Sequence, residues 1–318
     1  MKRLSDILLV DDEPLMLNSL KGLLEFDYKV HTATSGFAAL EVLRQHPIKV
    51  VISDERMPEM PGHELLRQVK SISPNTIRVL LTGYADLDSV MKSVNSGEVF
   101  RYLNKPCRPD TLRNIVSLGV QIYDRMSSLQ KAAAVAAPQV AVNKNIATPD
   151  TPKTLPDVLF IGYQAEEVLQ LTAKLRDNFL ISAAHTIDDA MNILMKKPIS
   201  VIVSELQLGE YDGLDFLQVV REEQPQAVII VLTDTADVKM IARAVNELQV
   251  FKYLTKPTSE AQIEQVLTDA TMKSELYQQK PEMNLQQTAK IVDAKSVPTP
   301  SPSLREQLQQ AQKQLNKS

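Results

Sequence analysis

Residues 99–106 read Val-Phe-Arg-Tyr-Leu-Asn-Lys-Pro, and 151 positions later residues 250–257 read Val-Phe-Lys-Tyr-Leu-Thr-Lys-Pro. Working outward at the same offset, Leu81-Thr82 meets Leu232-Thr233. Pro47-Ile-Lys-Val-Val-Ile-Ser meets Pro198-Ile-Ser-Val-Ile-Val-Ser, and Asp6-Ile-Leu-Leu-Val meets Asp157-Val-Leu-Phe-Ile. Between 76–106 and 227–257, twelve of 31 positions are identical without a gap, so the chain is an internal duplication. The landmarks are short apolar β-type runs, and the stretches between them carry helical periodicity. In the first copy the strands are predicted at 6–10, 29–32, 49–53, 77–81 and 99–103. Helices are predicted at 14–25, 36–45, 62–70, 86–95 and 109–126. This alternation specifies an α/β fold of two doubly wound, five-stranded parallel-sheet (βα)5 domains in tandem. Ligand chemistry in such a sheet sits outside the carboxyl ends of the strands.

The length of 318 residues agrees with two cores of about 100–150 residues and connectors. Hydrophobic residues at 44% and charged residues at 23% exclude wholesale disorder, and only nine glycines disfavour a glycine-rich phosphate loop. The single cysteine, Cys107, excludes a disulfide framework or a cysteine-based zinc site and is read as structural. An N-terminal apolar run of four residues is too short for a signal peptide, and no apolar stretch is long enough to span a membrane. The expectation is a cytoplasmic protein without membrane partners. Predicted boundaries are 1–126 and 157–270 for the two copies, 127–156 for an alanine- and proline-bearing linker, and 271–318 for a flexible tail. The tail ends in a stretch with Leu304, Leu308 and Leu315 at helical spacing. The first copy carries 16 basic and 16 acidic residues, whereas the second carries 9 and 18. A net −9 repels nucleic-acid phosphate, so no nucleic-acid partner is expected and the acidic copy suits docking to a basic protein surface, with Glu222 and Glu223 in the contact.

In the first copy the residues after successive strands form a set: Asp11, Asp12 and Glu13, then Asp54, Thr82, and Lys105-Pro106. Three carboxylates converging on one sheet edge repel unless they hold a hard cation, for which Mg²⁺ is the expected occupant. A carboxylate beside such a cation, with a lysine and a hydroxyl placed for developing phosphoryl charge, is equipped for in-line attack on phosphorus. Each residue alone has a plainer reading. An Asp-Asp pair commonly caps a helix, and an aromatic such as Tyr102 near a sheet edge is core as often as it is a switch. The four histidines, His31, His46, His63 and His185, show no metal-ligand or triad spacing. It is the joint occurrence at the ends of the right strands that carries the chemistry.

The motifs LLVDDEP, VVISDERMPEMPG, VLLTGYA and FRYLNKP over about residues 4–126 resemble the receiver domain of two-component response regulators. The resemblance implies that Asp54 is the phosphoacceptor, with Thr82 and Lys105 completing the catalytic set and Tyr102 as an aromatic switch. It implies Mg²⁺ held by Asp11, Asp12, Asp54 and the backbone carbonyl of Arg56. It also implies a histidine kinase or phosphotransfer protein as donor, a downstream protein effector, and a homodimer through the face of the fourth helix, fifth strand and fifth helix, about 86–126. The chemistry would be limited to self-phosphorylation and autodephosphorylation at Asp54, a switch and not an enzyme with a diffusible substrate. The same wording resembles receivers attached to cyclic-dinucleotide phosphodiesterases, which leaves a regulatory subunit of such an enzyme, or of a histidine kinase, as the alternative.

The second copy keeps Thr233, Tyr253, Lys256 and Pro257, but Gly162 and Tyr163 replace the acid pair and Glu205 replaces Asp54. Phosphorylation is not expected there. Glu205 is expected to reach Lys256, making the copy either a passive scaffold or a permanently activated-like domain.

Overall fold

The structure is a computed structural model that describes residues 4–83, 91–92, 94–95, 99–136, 155–209, 211–235 and 237–292. In the first copy β1 (Ser5–Val10), β2 (Tyr28–Ala33), β3 (Val50–Asp54), β4 (Ile77–Thr82) and β5 (Arg101–Asn104) make one all-parallel sheet in the order β2-β1-β3-β4-β5. The second copy repeats it with β6 (Asp157–Ile161), β7 (Leu180–Ala184), β8 (Val201–Ser204), β11 (Val228–Thr233) and β12 (Lys252–Thr255), ordered β7-β6-β8-β11-β12. A two-residue hairpin, β9 (Gln207–Leu208) and β10 (Tyr211–Asp212), follows β8.

The central strands are buried on both faces because helices cover both, which is why they read as unbroken apolar runs such as Ile7-Leu8-Leu9-Val10. Matched serine and threonine caps start matched helices. Ser35 accepts from the Ala38 amide ahead of Gly36–Gln45, and Thr186 accepts from the Asp189 amide ahead of Ile187–Leu194. Parallel register places Asp54 opposite Leu81 and Thr82 opposite Asn104, bringing the strand ends to one edge.

Several boundaries differ from the sequence reading. The fifth strand begins at Arg101, and Val99 and Phe100 lead into it. The helix Pro109–Ala136 continues well past 126, carried by the alanine run that favours it. The helix Glu260–Gln279 crosses the expected boundary at 270, so the tail does not start there. A short 3-10 turn (Pro281–Met283) and a further helix (Leu285–Val292) then fold back onto the Pro109–Ala136 helix, with Ala289 fully buried among Ile122 and Met126. Leu285, Ala289 and Val292 make an apolar stripe at helical spacing, the signal that a reading of this segment as polar tail passes over. Leu304, Leu308 and Leu315 lie outside the described residues, as do 137–154 of the linker. Of the helix expected at 86–95, Met91, Lys92, Val94 and Asn95 are described, and all four are helical.

The two copies touch. One apolar cluster runs without a break from Leu8, Val51 and Tyr102 of the first to Val245, Val250 and Tyr253 of the second. The face expected to form a homodimer is therefore covered, at β5 and Asn95, by the chain's own second copy.

Candidate functional site

At the carboxyl edge of the first sheet, Asp11 follows β1, Asp54 ends β3, Thr82 ends β4 and Lys105 follows β5. The Lys105 ammonium lies 2.8 Å from Asp11 Oδ2 and 2.5 Å from Asp54 Oδ1, bridging the two carboxylates. The remaining oxygens take backbone donors: the Glu13 amide donates to Asp11 Oδ1 at 2.9 Å and the Arg56 amide to Asp54 Oδ2 at 2.8 Å. Burial works against the Lys105 charge, but the bonds to Asp11 and Asp54 outweigh it and hold the ammonium above the ordinary lysine value. Thr82 is buried, its hydroxyl donates to the Gly83 carbonyl, and its own carbonyl accepts from the Lys105 amide at 2.9 Å. The structure thus gathers Asp11, Asp54, Thr82 and Lys105, with Asp12 exposed beside them.

Gly62 sets the floor of this pocket. A Cβ there would lie 2.2 Å from the Asp54 carbonyl oxygen, so only glycine lets the Gly62–Ile72 helix start directly against the strand that ends in Asp54.

The donor set suits a divalent hard cation. Asp11 and Asp54 are both almost fully buried and share one ammonium, and Asp12 adds a third carboxylate, so negative charge exceeds the cation present. The residues that would hold Mg²⁺ are the carboxylates of Asp11, Asp12 and Asp54 and the carbonyl of Arg56, all oxygen donors.

Sequence reasoning missed the neighbour of Asp54. Glu55 is buried and accepts from both the backbone amide and the ring Nδ1 of His63, at 2.9 and 2.6 Å, tying the loop after β3 to the following helix. It also missed Asp6, His31 and His46, whose ligand atoms all lie within 4.8 Å of one another. That group is not part of the acidic pocket: Asp6 sits near the start of β1, at the opposite end of the sheet. Lys29 lies 3.2 Å from Asp6 Oδ1 and His31 2.8 Å from it, and in the second copy the matched Asp157 is paired with Lys197. Both read as ties at the amino end of the sheet. His185 is exposed, and Cys107 is half-buried against core residues, burial pushing its thiol up.

In the second copy the same edge is filled. Gly162 adopts a positive φ of 86°, and Tyr163 is buried with its hydroxyl donating to the Leu232 carbonyl. Lys256 sits 2.7 Å from Glu205 Oε1 and 4.5 Å from the centre of the Tyr163 ring. Tyr253 is fully buried, its hydroxyl donating to the Thr235 carbonyl at 3.0 Å, and the Thr233 hydroxyl faces that of Thr235.

With these two edges in view, residues 7–117 and 164–268 both match the model of the response regulator receiver domain. The chain belongs to that family. Among curated relatives, the hydrogenase transcriptional regulatory protein HoxA of Cupriavidus necator is 32% identical over 115 residues, covering 36% of this chain and 24% of HoxA. The transcriptional regulatory protein ZraR of Klebsiella oxytoca is 35% identical over 113 residues, covering 35% and 25%. The signal receiver domain of an HD domain-containing protein from Pseudomonas fluorescens is 33% identical with a TM-score of 0.39, covering 40% of this chain and 95% of that one. The chain spans about a quarter of the length of these curated relatives. Both receivers are five-stranded and all-parallel, and among the described residues no helix is long and apolar enough to cross a membrane.

Proposed function

We propose that the chain is a two-component response regulator whose first receiver takes a phosphoryl group on Asp54 from a histidine kinase or phosphotransfer protein. The observation that carries this reading is the Lys105 ammonium bridging Asp11 and Asp54 at the carboxyl edge of the sheet. A carboxylate oxygen of Asp54 forms the new O–P bond as the donor's N–P bond breaks, and the electron pair leaves with the imidazole. In this reading Lys105 and the Thr82 hydroxyl meet the charge that develops on the transferred oxygens. Mg²⁺ held by Asp11, Asp12, Asp54 and the Arg56 carbonyl would supply neutralisation of the carboxylates and of the phosphoryl oxygens. Hydrolysis returns the Asp54 carboxylate and inorganic phosphate, so the chain acts as a cytoplasmic switch read by a protein effector and not as an enzyme with a diffusible substrate. The relatives named as transcriptional regulators match over a quarter of their length; the acidic second receiver favours signalling through protein contacts over nucleic acid.

Incubation with acetyl phosphate and Mg²⁺ is expected to raise the intact mass by one phosphoryl group, and Asp54→Asn to abolish the gain. A second phosphoryl group, or one that persists in the variant, overturns the assignment.

A further inference from the structure

The contact between the receivers has its own symmetry. Asn246 accepts from the Tyr102 amide at 2.8 Å and donates to the Tyr102 carbonyl at 3.0 Å. Asn95 accepts from the Tyr253 amide at 2.9 Å, and its carbonyl accepts from the Lys252 ammonium. Asn95 and Asn246 are one offset of 151 apart, and so are Tyr102 and Tyr253. Each receiver therefore uses the same asparagine to bind the same tyrosine on the outermost strand of the other. This is the isologous arrangement of a two-fold dimer, made inside one chain. Val94 and Tyr102 pack into the continuous apolar cluster with Ile241, Val245 and Tyr253.

The segment 281–292 joins the pair a second time. Asn284 donates to the Pro225 carbonyl at 3.0 Å, Gln286 to the Glu247 carbonyl at 2.6 Å, and Lys290 lies 3.5 Å from Glu222. Ala289, on the same helix, is buried in the core of the first receiver. One short segment is thus anchored on both domains. Glu222, expected to meet an outside basic partner, is engaged here within the chain.

We propose that the second receiver is the resident partner of the first receiver's Asn95 and β5 face, a phosphorylation-independent half of a pair that the chain makes in cis. Its own pocket is closed by Tyr163 and its lysine is satisfied by Glu205, so nothing in its Asp-like position awaits a phosphoryl group. Tethering raises the local concentration of the second face far above that of any other chain, so self-association through this face is suppressed. The statement about the phosphorylated state rests on Asp54 being the acceptor, but the pairing itself does not.

The test uses the full chain at 10–100 μM (about that range), with light scattering for mass and small-angle scattering for size, with and without beryllofluoride plus Mg²⁺. The wild type is expected to be monomeric and equally compact in both conditions. Asn95→Lys with Asn246→Lys is expected to raise the radius of gyration by at least about a quarter as the domains separate, with helical circular dichroism retained. The milder Asn95→Ala, Asn246→Ala pair is expected to speed amide exchange at 101–104 at least about threefold, should the lysine variant misfold. A wild-type chain already as extended as the double variant overturns the proposal, as does one that dimerises with beryllofluoride or pairs only in trans at every concentration. Loss of the phosphoryl gain at Asp54 would remove the functional reading while leaving the unmodified chain's compactness unaffected, so the two failures are distinct.

Discussion

The two sheet edges differ most where Gly162, Tyr163 and Glu205 replace Asp11, Asp12 and Asp54. In the first receiver Lys105 is held between two buried carboxylates, and the negative charge left over calls for a cation. In the second, Lys256 meets Glu205 and the face of Tyr163, with the exposed Asp234 more distant at 3.9 Å, and the space where an acid pair would stand is occupied by ring and by Leu208. The same lysine, just past the same strand, bridges two buried carboxylates in one case and lies between a glutamate and a ring in the other. The second receiver keeps the frame that its neighbour packs against, while its carboxyl edge is filled by Tyr163 and Leu208.

The contrast can be broken first at the floor of the pocket. Gly62→Ala places a methyl 2.2 Å from the Asp54 carbonyl, whereas Gly213→Ala meets the Glu205 and Leu206 carbonyls at 2.7 Å. Gly62→Ala is expected to cost at least about 3 kcal/mol in urea unfolding of that receiver and to abolish phosphoryl uptake. Gly213→Ala is expected to destabilise by less and to leave uptake intact.

Restoring an acid is the next test. Gly162→Asp forces a side chain onto a positive φ, with its Cβ 2.6 Å from Leu208 and 3.0 Å from Glu205. It is expected to cost about 2–3 kcal/mol and to confer no Mg²⁺ affinity on the second receiver, as measured by calorimetry. Tight Mg²⁺ binding by this single variant would show that the filled pocket is not what silences the copy.

The lysines sharpen the comparison further. Lys105→Ala leaves Asp11 and Asp54 facing each other without a counter-charge, and about 1–3 kcal/mol of lost stability is expected to return with millimolar Mg²⁺. Lys256→Ala leaves the mostly buried Glu205 with only the Leu206 amide as partner, is expected to cost about 1–2 kcal/mol, and is expected to show no Mg²⁺ rescue. Thermal melts with and without the ion read both.

The smallest effect lies at the far end of the sheet. Burial pushes the Asp6 carboxyl up, but hydrogen bonds from His31 and Lys29 outweigh this and hold it below the ordinary value. A carboxyl lowered on folding contributes stability that is present above its unfolded pKa and lost as pH falls through the folded one. Asp6→Asn is therefore expected to lower stability by about 1 kcal/mol or less at neutral pH. The gap to wild type should close below about pH 4.

The duplication and the acid pocket were legible because strand ends in a parallel sheet converge whatever the loops do, and the residues there are chemically distinctive. Asp54, Thr82 and Lys105 could be placed without knowing a single contact. The pairing of the receivers could not. Asn95 and Asn246 align in the repeat, but their partners are backbone groups of Tyr102 and Tyr253, which leave no mark in a sequence. The Leu285–Val292 helix hid in a glutamine-rich stretch whose stripe of Leu285, Ala289 and Val292 has meaning only against the Pro109–Ala136 helix. Asp6, His31 and His46 were invisible for a similar reason: the pairing of β1 with β2 and the end of the Gly36–Gln45 helix, and not spacing, bring them together.

The placement of Ala289 has a consequence for how the protein is born. Synthesis runs from the N-terminus, so the first receiver leaves the ribosome well before residues 285–292 exist. Until they arrive, the surface around Ile122 and Met126 that they will cover is open to water and to chaperones. The last described helix thus acts as a closing latch on the earliest domain, whose apolar face stays uncovered until that part of the chain is made.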